Sequence, residues 1–221
     1  MANQKRSETR KAQILEAAQR VFARKGFQEA TVSDVARAAR ISEATVYEYF
    51  PSKEELLFSI PGETARQNNE LLAFHLDYVR GAANKIRSII YHYLSFYQRN
   101  PDYASVVMLI LKQNRKFLDT EAYQMVREGY RLILRVIEAG VASGEFKPDT
   151  NPQLVRALIL GAIEHLVIRW VLLGRPENMA DLVDPLTDMV IDGIRKETQV
   201  PKLDLRINLE PQNRTENGQN P

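Results

Sequence analysis

The chain has 221 residues, of which 44% are hydrophobic, and it contains no cysteine. This hydrophobic content is enough for a packed core in one large or two small domains, and the absence of cysteine excludes disulfides and thiolate metal sites. The formal net charge of +2 by itself gives no evidence for a nucleic-acid partner.

Positive charge is concentrated at the N-terminal end. We predict a flexible basic arm over residues 1–7, then an amphipathic helix from about Glu8 to Lys25 that ends at Gly26. A local basic end of this kind is typical of a surface that contacts phosphates. Only Glu8 and Glu16 oppose the basic residues of this region, which are Lys5, Arg6, Arg10, Lys11, Arg20, Arg24 and Lys25.

The stretch TVSDVARAARISEATVYEYF, which begins at Thr31, predicts a helix-turn-helix. Thr31 and Ser42 are suitable N-caps for its two helices. In the second helix Val46 and Phe50 lie four residues apart and face inward, whereas the remaining faces are largely polar. The turn lacks the glycine that many such motifs carry. We assign the DNA-binding domain to residues 8–52.

The second helix carries the candidate DNA-reading side chains. Glu43, Ala44 and Glu48 are placed to face base edges in the major groove, whereas Thr45 and Tyr47 suit contacts to phosphates or thymine methyl groups. A glutamate accepts a hydrogen bond from cytosine, so Glu43 or Glu48 discriminates between bases, or else both point to solvent or pair with a neighbouring arginine. The candidate phosphate contacts that flank this helix are Ser33, Arg37, Tyr49 and Lys53.

Helical patterns continue to the last part of the chain. Because Pro61-Gly62 interrupts the pattern that Ser52 caps, we predict a short helix over residues 53–60, a kink, and a second helix that begins near Gly62. Pro185 indicates that the last helix is bent or starts later than its pattern. The remaining helices are predicted over residues 63–79, 82–98, 102–117, 120–143, 151–173 and 179–196.

No strand-like alternation is sustained, so the predicted fold is all-α. The helices after the DNA-binding domain form a larger helical domain over residues 53–198, to which the family resemblance described next assigns ligand binding and dimerisation. From residue 199 to 221 the chain is polar with scattered proline, and we expect a disordered tail because such a segment buries too little apolar surface to become ordered.

Several segments, taken in order, carry a resemblance to a known family. They are ILEAA from Ile14, Phe22, KGF from Lys25, TV from Thr31, IS from Ile41, TVY from Thr45, YF from Tyr49 and SKEELL from Ser52. Together they resemble the DNA-binding domain of TetR-type transcriptional regulators, the TetR/AcrR family. The resemblance implies an all-helical dimeric repressor whose C-terminal domain binds a small effector. It also places Thr31, Thr45, Tyr47, Tyr49 and Lys53 at positions that touch DNA in the family.

A set of aromatic residues and methionines in three consecutive predicted helices suits either a hydrophobic ligand or an ordinary helical core. The stretch from Leu111 to Phe146, with the later segment IEHLVIRW, is similar to the TetR-type regulators of fatty-acid degradation. This similarity implies a long-chain acyl-CoA effector, with basic residues on the CoA phosphates. A hydrophobic drug, with Glu164 as a cation partner, is the alternative. The ligand candidates are Tyr93, Tyr97, Met108, Leu111, Arg115, Tyr123, Arg127, Tyr130, Arg169 and Trp170.

The segment LVRALILGAIEHLVIRWVLLG is nearly continuous apolar sequence that contains charged residues. A buried charge is costly unless it is paired, so these residues either pair across a subunit interface or meet a polar group of a ligand. Gly161 and Ala162 allow another helix to approach closely. Since the family joins its last two helices to their symmetry mates in a four-helix bundle, the interface candidates are Leu158, Gly161, Ala162, His165, Leu186 and Val190.

No pattern indicates catalysis or a metal. His75, His92 and His165 lack partners at metal-ligand spacing, and no phosphate loop, nucleophile elbow or triad signature is found. We therefore expect no cofactor. No signal peptide or membrane span is indicated, so we expect a soluble cytoplasmic protein. Its expected partners are double-stranded operator DNA, a second copy and a hydrophobic effector; a helical scaffold without DNA binding is the competing class.

Overall fold

The structure, a computed structural model, describes residues 2–196, with side chains from residue 6 onward. The described residues form helices and connecting loops, which confirms the all-α prediction. No helix in this part of the chain is long and apolar enough to cross a membrane. Its α-helices are α1 (Ala2–Lys25), α2 (Val32–Ala39), α3 (Glu43–Tyr49), α4 (Lys53–Asp77), α5 (Ala82–Arg99), α6 (Pro101–Ser105), α7 (Glu121–Ala142), α8 (Pro152–Leu173) and α9 (Val183–Ile194).

Helices α1 to α3 form an N-terminal head with the predicted helix-turn-helix. Thr31 and Asp34 make the capping box of α2, in which each side chain accepts a hydrogen bond from the backbone N–H of the other residue. The Ser42 hydroxyl caps α3 by accepting from the Thr45 N–H. Val46 is buried, as the spacing of α3 predicts. Local capping chemistry therefore defines where both helices of the motif begin.

Helix α1 is longer than predicted. It begins at Ala2 rather than near Glu8, so residues 2–7 belong to the helix and not to a separate arm. Helix nucleation is unfavourable, but extension of an existing helix adds one hydrogen bond for each residue that is fixed. The packed second half of α1 supplies the nucleus, and no proline or glycine stops its extension toward the N-terminus.

Helix α4 runs without interruption from Lys53 to Asp77 with Pro61 inside it, so the predicted division into two helices is wrong. Proline removes one hydrogen-bond donor from the helix. Pro61 and Gly62 are both buried, and the apolar surface that they bury offsets the missing hydrogen bond. A Cβ atom added at Gly62 would lie 3.4 Å from the Cβ atom of Ala122 on α7, so the two helices pack closely at this point.

The single helix predicted over residues 102–117 is also wrong. Helix α6 passes into a π-helix, Val106–Leu111, and after a break the chain forms a 3₁₀-helix, Arg115–Asp119. Side chains of the apolar π-helix belong to two hydrophobic cores: Val106 packs with buried residues of the head, whereas Met108 packs with buried residues of α5, α7 and α8. The π-helix and the break after it interrupt the regular 3.6-residue repeat on which the prediction of one continuous helix rested.

The last helix starts later than its apolar pattern, as Pro185 indicated. A 3₁₀-helix, Met179–Leu182, precedes α9, and Pro185 lies in the first turn of α9. Backbone N–H groups in a first turn have no partner within the helix, so proline breaks no hydrogen bond there. The tail predicted over residues 199–221 lies outside the described residues.

Two hydrophobic cores meet within the chain. The head core contains buried residues of α1 to α3 and the start of α4, together with Tyr103 and Phe117 from the segment between α5 and α7. The body core is formed by α5, α7, α8, α9 and the second half of α4, and Tyr97 packs against both cores. The body therefore contributes side chains to the core of the DNA-binding head.

The turn of the helix-turn-helix has arginine where glycine is common. Arg40 ends α2 in the left-handed conformation, with φ 57° and ψ 47°. The Ile41 N–H donates to the Ala36 carbonyl at 3.0 Å and so closes the helix end. A side chain in this conformation brings its Cβ atom close to the following carbonyl oxygen, which costs about 1–2 kcal/mol.

We predict that Arg40→Gly raises the free energy of unfolding by about 0.5–1 kcal/mol, because the strain that it removes exceeds the entropy that glycine adds to the unfolded chain. Arg37→Gly, in the regular part of α2, is the matched control and should lower the same quantity by about 1 kcal/mol. Urea unfolding followed by circular dichroism measures both. Equal losses in the two variants would show that Arg40 is not strained.

Candidate DNA-binding surface and effector cavity

The side chains of α3 divide as the sequence predicts. Val46 and Phe50 are buried, whereas Tyr47 is 49% exposed. Thr45 is half-buried, and its hydroxyl lies 2.9 Å from the Ser42 hydroxyl. Glu43, Ala44 and Glu48 are exposed, and Tyr49 is half-buried. The exposed face of α3 is thus free to enter a major groove, which is how the second helix of such motifs binds DNA.

The two glutamates of α3 form no ion pair with Arg37 or Arg40 within the described residues, so the pairing alternative finds no support. Arg37 instead lies 3.8 Å from Asp34. The carboxylate of Asp34 is bound by Lys25 at 2.8 Å, and this hydrogen bond, with those from Thr31, lowers the pKa of Asp34 to about 2. Ser33 is half-buried and Thr31 is exposed beside it.

Lys53 is not free in this structure, and its contact with a phosphate stays a prediction that requires the ammonium group to leave the bonds it makes here. Its ammonium group donates hydrogen bonds to the carbonyl oxygens of Phe27 at 2.8 Å, Ala30 at 2.9 Å and Gln28 at 3.4 Å. It also lies 4.5 Å from the centre of the Phe27 ring. Lys53 therefore joins the first residue of α4 to the loop between α1 and α2.

A cavity of about 330 Å³ lies where the two cores meet. This volume is at the lower end of the range of ligand pockets. Its walls are mainly aromatic and aliphatic, with a few polar groups. The lining residues are Ala65, Asn68, Asn69, Tyr93, Phe96, Tyr97, Tyr103, Val107, Lys112, Phe117, Leu118, Tyr123, Val126, Tyr130, Leu160 and Glu164.

Four of the tyrosines that line the cavity are protonated at neutral pH. Burial raises the pKa values of Tyr93, Tyr97 and Tyr103 well above the usual range, and it raises the pKa of Tyr130 to about 12. A neutral phenol is both a donor and an acceptor of hydrogen bonds. The cavity wall therefore offers uncharged hydroxyl groups to a ligand.

The charged groups of the cavity are paired within the chain. Lys112 and Glu164 form an ion pair, and their side chains are 25% and 36% exposed. Glu164 was predicted to meet either a partner subunit or a ligand, but it pairs instead with the lysine that follows the π-helix. Partial exposure places this ion pair near the opening of the cavity.

Two asparagines of α4 are held in position at the cavity wall. The Asn68 side-chain oxygen lies 2.8 Å from Nε2 of His92, and the Asn69 side chain donates to the Met125 carbonyl at 2.8 Å. Burial, with a smaller contribution from Arg99, lowers the pKa of His92 to about 4. The imidazole is therefore neutral at physiological pH.

The structure places only some of the ligand candidates in the cavity. Tyr93, Tyr97, Tyr123 and Tyr130 line it. Six candidates do not: Met108 and Leu111 fill the body core and the head core, Trp170 lines a separate cleft beside Ala23, and Arg115, Arg127 and Arg169 are exposed. Neighbouring residues of a helix point in different directions, so these six residues do not line the cavity although they are close in sequence to residues that do.

The dimer candidates lie on an apolar surface of α8 and α9. Leu158 is 58% exposed, and Gly161 and His165 follow it on the exposed face of α8. Leu158, Ala162, Leu186 and Val190 line one groove between α8 and α9. Leu154 and Met189 extend this exposed apolar surface.

Sequence reasoning did not select Lys112, Asn68, Asn69 or Tyr103 for the cavity. A lysine directly after the apolar run VVMLIL, and an acid within another apolar segment, are signals of paired buried charges. These two residues are separated by 52 positions in the chain, and no local pattern joins them. The asparagines of α4 resemble ordinary surface residues until the packing of α4 against α7 is known.

Helix α3 is exposed on a head whose core is shared with the body, and the body contains the cavity. This arrangement is characteristic of a helix-turn-helix transcription regulator. The model of the bacterial regulatory proteins of the tetR family matches residues 14–60, and the model of the YsiA-like protein C-terminal region matches residues 70–193. The chain belongs to the TetR family, and it is a transcriptional regulator rather than an enzyme.

Its relatives include regulators of fatty-acid metabolism. The fatty acid metabolism regulator protein of Bacillus subtilis (strain 168) is 26% identical over 82% of this chain and 94% of its own length. The crystal structure of FadR from Bacillus subtilis in complex with stearoyl-CoA is similar with a TM-score of 0.74 and 26% identity, over 83% of this chain and 99% of that one. The repressor KstR2 of Mycobacterium tuberculosis (strain CDC 1551 / Oshkosh) is 24% identical over 86% of this chain and 94% of its own.

We predict that Lys53→Met lowers the free energy of unfolding by about 1.5–3 kcal/mol, because backbone carbonyls lose a charged donor. Lys116→Met is the matched control. Lys116 makes an exposed ion pair with Glu54, so its loss should cost less than about 1 kcal/mol. Urea unfolding followed by circular dichroism measures both changes. Similar small losses in the two variants would contradict a structural role for the Lys53 ammonium group.

Proposed function

We propose that this regulator is a cytoplasmic homodimeric repressor that leaves its operator DNA when it binds a long-chain acyl-CoA. The observation that carries the proposal is the position of the cavity: its walls include residues of both the head core and the body core. A ligand there contacts the side chains on which the position of the DNA-binding head depends. The stearoyl-CoA complex of the Bacillus subtilis relative supports the effector class.

The shape and chemistry of the cavity support a molecule with an apolar part and a polar head. Its largely apolar lining suits an acyl chain, and Leu118, which is 45% exposed, marks the side that is open to solvent. Arg127 directly follows the lining residue Val126, Arg115 lies two positions before the lining residue Phe117, and both arginines are exposed. They are our candidates for neutralising the CoA phosphates outside the cavity.

The alternative effector, a cationic or aromatic drug, needs Glu164 as its counter-ion. In this structure Lys112 already neutralises Glu164, so a cation would have to displace an ammonium group that is part of the same wall. A neutral acyl chain requires no such exchange. The ion pair therefore favours the acyl-CoA over the drug as the effector.

In this proposal the ligand causes release of the DNA because it binds one of two protein conformations more tightly than the other. A ligand shifts such an equilibrium only by the amount by which it binds one state better. In the proposed mechanism the acyl-CoA favours a body conformation in which α4 moves the two heads away from the spacing of successive major grooves. The DNA contacts of this proposal are the exposed face of α3, with Glu43 or Glu48 accepting from cytosine, and flanking phosphate contacts from Ser33, Arg37 and Tyr49.

We predict that Leu158→Arg produces a monomer, because the arginine places a charge in the apolar surface of α8 and α9. Operator affinity should fall about 100-fold or more, since the two heads then bind independently. Leu71→Arg is the control: Leu71 is 69% exposed on α4, away from that surface, and this variant should remain dimeric. Light scattering gives the mass, and fluorescence anisotropy with promoter DNA of the protein's own gene gives the affinity. A dimeric Leu158→Arg would refute the interface.

We predict that stearoyl-CoA binds the purified protein and releases it from this promoter DNA. Native mass spectrometry detects any acyl-CoA retained from the cell, calorimetry gives the affinity, and an electrophoretic shift assay gives the release. Leu160→Trp fills the cavity, so it should abolish stearoyl-CoA binding in the calorimeter and any further change in DNA affinity when stearoyl-CoA is added. Leu71→Trp, outside the cavity, should respond as the parent protein does. DNA release by stearoyl-CoA in Leu160→Trp would place the effector elsewhere.

A further inference from the structure

The hydroxyl groups of the cavity tyrosines have no hydrogen-bond partner among the described residues. The hydrogen bonds of this region involve Asn68, Asn69 and His92, and none includes the hydroxyl of Tyr93, Tyr97, Tyr103 or Tyr130. Within the described chain, the polar side-chain atom that is fully enclosed and unpaired is Oγ1 of Thr150. The phenol oxygens therefore border open space, and the space that these four residues line together is the cavity.

The tyrosines pack closely around the cavity. A Cβ atom added at Gly129 would lie 2.6 Å from the Tyr93 hydroxyl and 2.5 Å from the side-chain oxygen of Asn69, so both oxygens pack against the same glycine. Tyr97 and Tyr103 stack with ring centres 6.2 Å apart. After burial, electrostatic coupling to Tyr130 contributes to the raised pKa values of Tyr93, Tyr97 and Tyr103, which agrees with the position of these residues around one cavity.

The thioester carbonyl of a saturated acyl-CoA accepts from one or two hydroxyls at most, and its hydrocarbon chain leaves the others of this group without partners. Buried polar groups need hydrogen bonds, and each unpaired one reduces binding by about tenfold. The complementary ligand group is an uncharged oxygen, because the phenols are neutral and the positive charge of Lys112 is already matched by Glu164. A hydroxyl or oxo oxygen of the ligand meets this requirement. A carboxylate of the ligand does not, because Lys112 is already paired with Glu164 and would not neutralise it.

We propose that the cavity selects an acyl-CoA whose acyl chain carries a hydroxyl or oxo oxygen over the saturated acyl-CoA of the same length. This inference rests on the acyl-CoA effector proposed above and specifies its class. The unpaired hydroxyls of Tyr93, Tyr97, Tyr103 and Tyr130 supply the hydrogen bonds. The regulator would then respond to oxygenated fatty acyl groups rather than to the unmodified chain.

The test is calorimetric titration of the full-length protein with stearoyl-CoA and with a positional series of hydroxy- and oxo-octadecanoyl-CoA. We expect at least one oxygenated member to bind about tenfold or more tightly than stearoyl-CoA. Affinities that are equal across the series, or highest for stearoyl-CoA, overturn this inference but leave the proposed function intact. Failure of every thioester to bind overturns both.

Phenylalanine variants test the assigned hydroxyls directly. Tyr93→Phe and Tyr103→Phe keep the rings and should each reduce the preference for the oxygenated chain by about tenfold, with stearoyl-CoA bound as well as before or more tightly. Tyr91→Phe is the matched control, because Tyr91 lies on the same helix as Tyr93, is 52% exposed and does not line the cavity. An unchanged preference in both variants, with DNA binding retained, overturns the assignment.

Discussion

The continuity of α4 is the constraint on which the rest of the structure depends. Its first residue, Lys53, is bonded to the carbonyls of the head loop, and Asn69 of the same helix is bonded to α7 at the cavity wall. A helix rises about 1.5 Å per residue, so one rigid element joins two sites about 24 Å apart. If the chain broke at Pro61, a displacement at the cavity would be absorbed before it reached the head.

A second connection runs through the segment between α5 and α7. Tyr103 belongs to the head core and lines the cavity, and the π-helix that follows places Val106 in the head and Met108 in the body. Packed cores respond to added volume by shifts between discrete arrangements, because they contain little free space. A ligand that fills the cavity therefore acts on the head core directly as well as through α4.

Local signals in the sequence predicted much of this fold, and non-local packing accounts for what they missed. Thr31 and Ser42 marked the helix starts, because a capping side chain bonds its own helix. Proline at position 61 predicted a break, yet Pro61 and Gly62 are buried within one continuous helix, and Gly62 packs closely on Ala122 of α7. Lys53 resembled a free surface cation because its carbonyl partners lie more than 20 positions earlier in the chain. For the cavity, the sequence identified several of the lining tyrosines, but it did not show which faces of the helices meet around the cavity.

The charge distribution of the head influences how large a coupling free energy is needed to release the protein from DNA. Non-specific affinity for DNA comes mainly from phosphate neutralisation. Here Lys53 is bonded within the protein, Lys25 is paired with Asp34, and α3 exposes Glu43 and Glu48, so fewer cations remain for phosphates. Couplings between ligand sites amount to about 1–3 kcal/mol. A coupling of that size lowers the affinity by the same factor whatever the contacts, so it releases a head with few phosphate contacts, whose affinity is lower to begin with, more readily than a head with many.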